Sequence, residues 1–198
     1  MIVVGYYTSN TPYEQEAHEL AANMEQYGLK YRLYSVESKL FWAYNCAMKP
    51  EFILKGLDEL QENILYTDVD SRFLRTPPFH EIEKDIPGFC ICSPYGKKEL
   101  ISATMYFPNN ELSRKILRHW SEEQQKDLGV WDQRVLESII DNYDYFVMDE
   151  AWLKIYDNEN YSGGVPIVEH YQASRKYVFC EEDTDFQKHL DAYNGRQR

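Results

Sequence analysis

Ile64-Leu65-Tyr66-Thr67-Asp68-Val69-Asp70 is an apolar run that ends in two acids spaced by one residue. Such a run is typical of a buried strand. In an extended chain residues i and i+2 point the same way. Asp68 and Asp70 are therefore expected to project to one side at the strand's C-terminal end, with Val69 turned into the core. Two carboxylates side by side repel each other unless a cation sits between them. Hard oxygen ligands suit Mg²⁺ or Mn²⁺, and these metals usually share their coordination with substrate phosphates. The pair implies a metal–diphosphate site at the edge of an α/β sheet. Taken alone it reads sooner as a solvated acidic turn, because D-x-D tripeptides are common. The rest of the chain has to decide between the two.

Upstream, Met1 to Tyr7 opens as a buried strand, and Thr11-Pro12 with Glu14 carries the N-cap, first-turn proline and capping box of a helix. Ala17, Leu20, Ala21 and Met24 give that helix its apolar face, and Gly28 ends it. Leu29 to Tyr34 reads as the second strand of a βαβ unit. The loop Tyr7 to Asn10 lies between a strand's end and a helix's start, a common nucleotide position, but it lacks a glycine-rich fingerprint. Leu40 to Met48 reads as helical, and Lys49-Pro50 starts a new helix over Phe52, Ile53, Leu57 and Leu60.

Downstream, Phe89 to Cys92 and Ser102 to Phe107 read as strands. Pro108-Asn109-Asn110 caps a long helix through Trp120, and Trp131-Asp132-Gln133 begins another. Tyr143 to Gly164 mixes short strands and loops, and Ile167 to His170 reads as a last strand. The chain divides into a domain over residues 1–180 and a polar, loosely helical tail over 181–198.

A chain of 198 residues suits one domain that buries about 70% of its unfolded surface. Its formal net charge of −12 disfavours non-specific binding to nucleic acid or to anionic membranes. Cys46, Cys90, Cys92 and Cys180 lack zinc-ligand spacing and read as buried free thiols of a reducing compartment. No signal peptide and no apolar run of membrane-spanning length is visible, so a soluble, cytoplasmic protein is expected. The 17 Tyr and 4 Trp suit stacking on sugars or bases, and suit a core at least as well.

Taken in order, these stretches resemble the nucleotide-diphospho-sugar transferases of the GT-A fold, over roughly residues 1–176. The carrying segments are Ile2 to Asn10, Lys49-Pro50-x-Phe52-Ile53, Leu65 to Asp70, Ser102 to Trp120, Asp132-Gln133 and His170. The likeness is nearest to the retaining branch with galactosyltransferase- and glycogenin-like members. It implies an α/β fold with a mixed central sheet flanked by helices, a Mn²⁺ (or Mg²⁺) cofactor and a UDP-linked sugar donor. Carried over residue by residue, Asp68, Asp70 and His170 would ligate the metal, with Asp68 also near the ribose. Imidazole tilts such a set toward Mn²⁺. Tyr7, Thr8 and Asn10 would lie against the nucleoside, Lys49 near the nucleotide or diphosphate, and Asp132 and Gln133 under the donor sugar.

The sequence departs from the family pattern in two places. The His-x-x-Gly-x-x-Lys-Pro-Trp segment is replaced by His170-Tyr171-Gln172-Ala173-Ser174-Arg175-Lys176, so Arg175 or Lys176 would stand in for the phosphate-binding lysine. Ile101-Ser102-Ala103 lacks the glycine of the usual Ser-Gly. Arg72 and Arg75 read either as donor or acceptor contacts or, more ordinarily, as partners of nearby acids. Competing functions are a non-catalytic nucleotide-sugar binder and a D-x-D phosphohydrolase. The latter needs a second acidic pair, for which Asp149-Glu150 and Asp183-x-Asp185 are poor candidates. The acceptor stays open among glycan, protein, small molecule and modified DNA, and a homo-oligomer is compatible with so short a chain.

Overall fold

The computed structural model describes residues 1–39, 41–93 and 98–174. Arg175, Lys176, Cys180, Leu40 and the tail over 181–198 lie outside the described residues. The chain starts as the expected βαβ unit: β1 (Ile2–Ser9), α1 (Pro12–Gln26) and β2 (Tyr31–Glu37), with β1 and β2 parallel. Thr11 caps α1 by accepting a hydrogen bond from the Tyr13 N–H. The second half of the capping box differs from expectation. Asn10 stands in a left-handed turn (φ 57), and its N–H, rather than that of Thr11, donates to Glu14 Oε2 at 2.9 Å. At the other end Gly28 is left-handed (φ 64), and the N–H groups of Gly28 and Leu29 donate back to Glu25 and Met24. That closure uses Leu29, which is why β2 begins at Tyr31.

Two helices follow, α2 (Trp42–Cys46) and α3 (Lys49–Leu60), then β3 (Ile64–Thr67) and β4 (Ser71–Phe73). The remaining elements are β5 (Gly88–Cys92), β6 (Glu99–Phe107), α4 (Glu111–Lys126), α5 (Asp132–Ile139), β7 (Phe146–Met148), β8 (Lys154–Ile155) and β9 (Val168–His170). Among the described residues the large sheet has the order β2-β1-β3-β6-β5-β7, with β6 antiparallel to both neighbours. A small sheet, β4-β9-β8, stands beside it.

β3 is buried on both faces. Ile64 and Tyr66 pack with Ile53 and Leu57 of α3 and with Ile116, Leu117 and Trp120 of α4. Leu65 faces the opposite layer, with Leu20 and Met24 of α1. The alternation of one strand thus builds two cores, an α/β/α sandwich. Cys90 and Cys92 are buried free thiols, as expected, while Cys46 is only partly covered.

The two aspartates are not on the strand itself. β3 stops at Thr67, and Asp68 to Asp70 form the turn that carries the chain from the large sheet to the small one. Ser71 pins this turn, donating from Oγ to the Asp68 carbonyl at 2.7 Å. Val69 is turned into the core, as the alternation predicts.

Candidate active site

A pocket of about 470 Å³ opens at the C-terminal ends of β1 and β3, the usual place for a ligand on an open α/β sheet. Its walls bring together Tyr7, Thr8, Lys49, Asp68, Asp70, Asp132, Gln133 and His170, residues spread over most of the sequence. Asn10, by contrast, is exposed at its left-handed turn and is not part of the pocket wall. The Thr8 hydroxyl is engaged by that of Thr11 at 2.8 Å.

Lys49 is the hub. It sits in the first turn of α3 and is 4% exposed. Phe52, one turn on, stacks on Tyr6 of β1 at 4.7 Å and locks this end of the helix to the sheet. The Lys49 ammonium lies 3.1 Å from Asp68 Oδ1 and 2.9 Å from Asp132 Oδ2. It also donates to the Ser102 carbonyl and hydroxyl, each at 3.2 Å. These carboxylates raise its pKa further above the ordinary lysine value even though burial opposes the charge.

The partners of Lys49 are held in turn. Tyr66 OH donates to Asp68 Oδ1 at 2.7 Å. Ser102 Oγ donates to Asp132 Oδ2 at 2.8 Å. Asp132 opens α5, and its carbonyl accepts from the Trp120 indole at 3.1 Å. Gln133 bridges the Ser102 N–H (3.4 Å) and Glu99 (3.3 Å), and Glu99 pairs with Arg134 at 3.0 Å.

Asp70 accepts a hydrogen bond from the Ala173 N–H at 2.7 Å, so the segment after β9 closes onto the aspartate turn. Burial and the neighbouring Asp68 charge push its carboxyl up to about 6, against the relief given by Ala173. His170 is brought beside the turn by the pairing of β9 with β4, which sets it opposite Ser71. Its Nε2 meets Thr104 Oγ1 at 2.8 Å, while Nδ1 is buried with no hydrogen-bond partner among the described residues. Burial, aided by the Lys49 charge, lowers its pKa to about 3 and keeps the ring neutral.

Among the described residues no three His, Cys, Asp or Glu side chains form a ready cation cage. The donor set nonetheless fits a divalent metal in kind. It offers two carboxylates, one with its charge penalised by burial and by the other, and a neutral imidazole whose Nδ1 has no partner among the described residues. Among the described residues, the four carboxylates of the pocket wall (Asp68, Asp70, Glu99, Asp132) outnumber its two cations (Lys49, Arg134) and leave a formal −2.

Arg72 takes its ordinary role and pairs with Glu16 and Glu19 of α1, and Arg75 donates to the Val165 carbonyl. Asp149 caps a turn by accepting from Ala151, and neither it nor Glu150 reaches the pocket. The sequence alone missed Ser102, Glu99, Tyr66 OH, Trp42 and Trp131 as site residues. Tyr66 was legible, since it precedes Asp68 by two on a strand, and Trp131 and Ser102 stand beside or within stretches already singled out; Glu99 and Trp42 come from elsewhere and carry no local signal.

No protein-family model matches the chain, and no curated protein matches it. Solved structures do. One is a glycosyltransferase involved in the glycosylation of the major capsid of PBCV-1, with a TM-score of 0.68 at 12% identity over 86% of this chain and 92% of that one. Another is the galactosyltransferase LgtC in complex with donor and acceptor sugar analogs, with a TM-score of 0.52 at 14% identity over 87% of each chain. An active-site mutant of LgtC gives 0.54 at the same identity and coverage. At such low identities the likeness is one of fold: the chain has the mixed α/β fold of GT-A glycosyltransferases.

Proposed function

We propose that this chain is a metal-dependent glycosyltransferase that moves a sugar from a UDP-linked donor to an acceptor with retention at the anomeric carbon. The observation that carries the reading is the aspartate turn joined through one buried lysine to Asp132, at the ligand edge of a glycosyltransferase fold. Asp68, Asp70 and His170 would hold Mn²⁺, and His170 would have to exchange its Thr104 contact for the metal or offer Nδ1. The ion would neutralise charge on the donor diphosphate as the nucleotide leaves.

The chain's own residues do the rest. Tyr7 and Thr8 line the pocket, where they would border the nucleoside. Lys49 fixes Asp68 and Asp132 at one spacing, so metal and sugar are presented in register. Asp132 and Gln133 offer acceptor and donor atoms to sugar hydroxyls. Each carboxylate at the sugar end is held through one oxygen, Asp132 Oδ2 by Lys49 and Ser102, and Glu99 Oε2 by Arg134 and Gln133. Retention is the outcome that the resemblance to the retaining branch implies.

The test is a screen of nucleotide-sugars with Mn²⁺, read as release of nucleoside diphosphate. Release with a UDP-sugar that EDTA stops, and that Asp70→Asn lowers by at least about a hundredfold, is expected. Tight UDP binding with no turnover of any donor would instead make the chain a nucleotide-sugar binder.

A further inference from the structure

Two of the four tryptophans, Trp120 and Trp152, are core residues at 0% and 1% exposure. The other two, Trp42 and Trp131, are only partly covered, and both line the pocket. Trp42 opens α2 and Trp131 caps α5, directly before Asp132. Their rings meet edge to face, 6.0 Å apart with planes at 87°, and form an aromatic corner at the Asp132 end of the pocket. Phe41 and the exposed Tyr44 pack edge to face at 5.3 Å, apart from the pocket wall. Large apolar rings left half-open beside polar side chains mark a binding wall rather than a core.

We infer that Trp42 and Trp131 form the acceptor subsite and that the acceptor is an uncharged glycan, stacked by a pyranose face on the Trp42 ring. This rests on the transferase reading of the same pocket. The electron-rich face of an indole attracts the C–H-bearing face of a pyranose and leaves the sugar's hydroxyls free at its edge. The corner adjoins the residues assigned to the donor sugar, so a stacked pyranose would present a hydroxyl where transfer occurs. The electrostatics select against anionic acceptors. Among the described residues the pocket wall has a formal −2, and the whole chain carries −12, which disfavours phosphate-bearing acceptors such as nucleic acid.

Intrinsic fluorescence reads the corner directly, because the other two tryptophans are shielded. Titrate the whole protein, with UDP and Mn²⁺ present, with methyl pyranosides, neutral tri- and tetrasaccharides, and glucose 6-phosphate. Saturable quenching by a neutral saccharide is expected, and none by the phosphosugar. Trp42→Ala should weaken it about fivefold to tenfold, with Trp42→Phe restoring most of the affinity. In turnover assays the same variant should raise the acceptor KM by a similar factor. The kcat at saturating acceptor should change less than the acceptor KM does. Quenching by uridine alone that Trp42→Ala abolishes would put the base on this wall and overturn the inference. So would the absence of quenching by any saccharide. Failure of all donors to turn over sinks the transferase reading separately, since quenching needs no transfer.

Discussion

Lys49 carries its charge to a place of 4% exposure because Asp68, Asp132 and Ser102 converge on its ammonium from separate segments. Removing one member of such a group leaves the others buried and uncompensated. Lys49→Met should therefore cost about 3–5 kcal/mol in chemical denaturation, far above the loss of a surface ion pair, and abolish donor turnover. Asp70 behaves in the opposite sense. Its folded pKa of about 6 stands above the ordinary 3.8, so its charge penalises the metal-free fold above that pKa, and the penalty fades as pH falls toward 3.8. Asp70→Asn should stabilise the metal-free protein near pH ~7 by on the order of 1–3 kcal/mol, with the gain vanishing below about pH 4. His170 works against this trend in the wild type. Its folded pKa of about 3 lies below the unfolded 6.5, so the stability it gives is lost as pH falls through that window. The comparison must therefore be the difference between variant and wild type across pH, measured with EDTA present. Saturating Mn²⁺ should reverse the sign, leaving the wild type more stable than Asp70→Asn.

The elements that matter most are β1 and β3, because their C-terminal ends carry the two sides of the site. They run parallel and closely packed, with Gly5 facing Thr67. A Cβ on Gly5 would stand 2.9 Å from the Thr67 carbonyl and 3.0 Å from Leu33. Thr67 is the last residue of β3, and Asp68 follows it. Gly5→Ala should therefore cost about 1–3 kcal/mol of stability through overpacking. It should also lower donor turnover more than stability loss explains, because the displaced backbone is the one that aims Asp68. Activity measured well below the variant's melting temperature separates the two effects. At this scale the sequence was informative wherever punctuation is local: the Thr11 and Asn110 caps, the left-handed Gly28 and the apolar run of β3 all do what their neighbours predict. It was uninformative where a third element decides. β3 ends at Thr67 because the chain there leaves β6 for the small sheet, and nothing within Tyr66 to Asp70 announces that partner.

For the molecule as a whole, Asp68, Asp70, His170 and Asp132 could be read in order along the chain, but their coupling could not. Lys49 reads locally as a solvated lysine before a helix, and Ser102 as one residue of a strand; only the packing of α3, β6 and α5 around one ammonium joins them. The same assembly sets the electrostatics of ligand entry. Lys49 is spent on Asp68 and Asp132, and Arg134 on Glu99 and Glu137, so the described wall offers a diphosphate no surplus positive charge. With −12 on the chain and −2 on the wall, an anionic donor approaches against repulsion. Two opposite salt responses follow. Without a divalent cation, UDP should bind weakly, and its affinity should rise as KCl is increased from about 20 to 300 mM, because screening relieves the repulsion. With Mn²⁺ saturating, the dominant contacts become attractive, and the same salt should weaken binding. Calorimetric titration of UDP at the two ionic strengths, with Mn²⁺ and with EDTA, reads both slopes. A strong metal-free affinity that falls with salt would require a cationic diphosphate contact from beyond the described wall, and Arg175 and Lys176 would then be the side chains to replace.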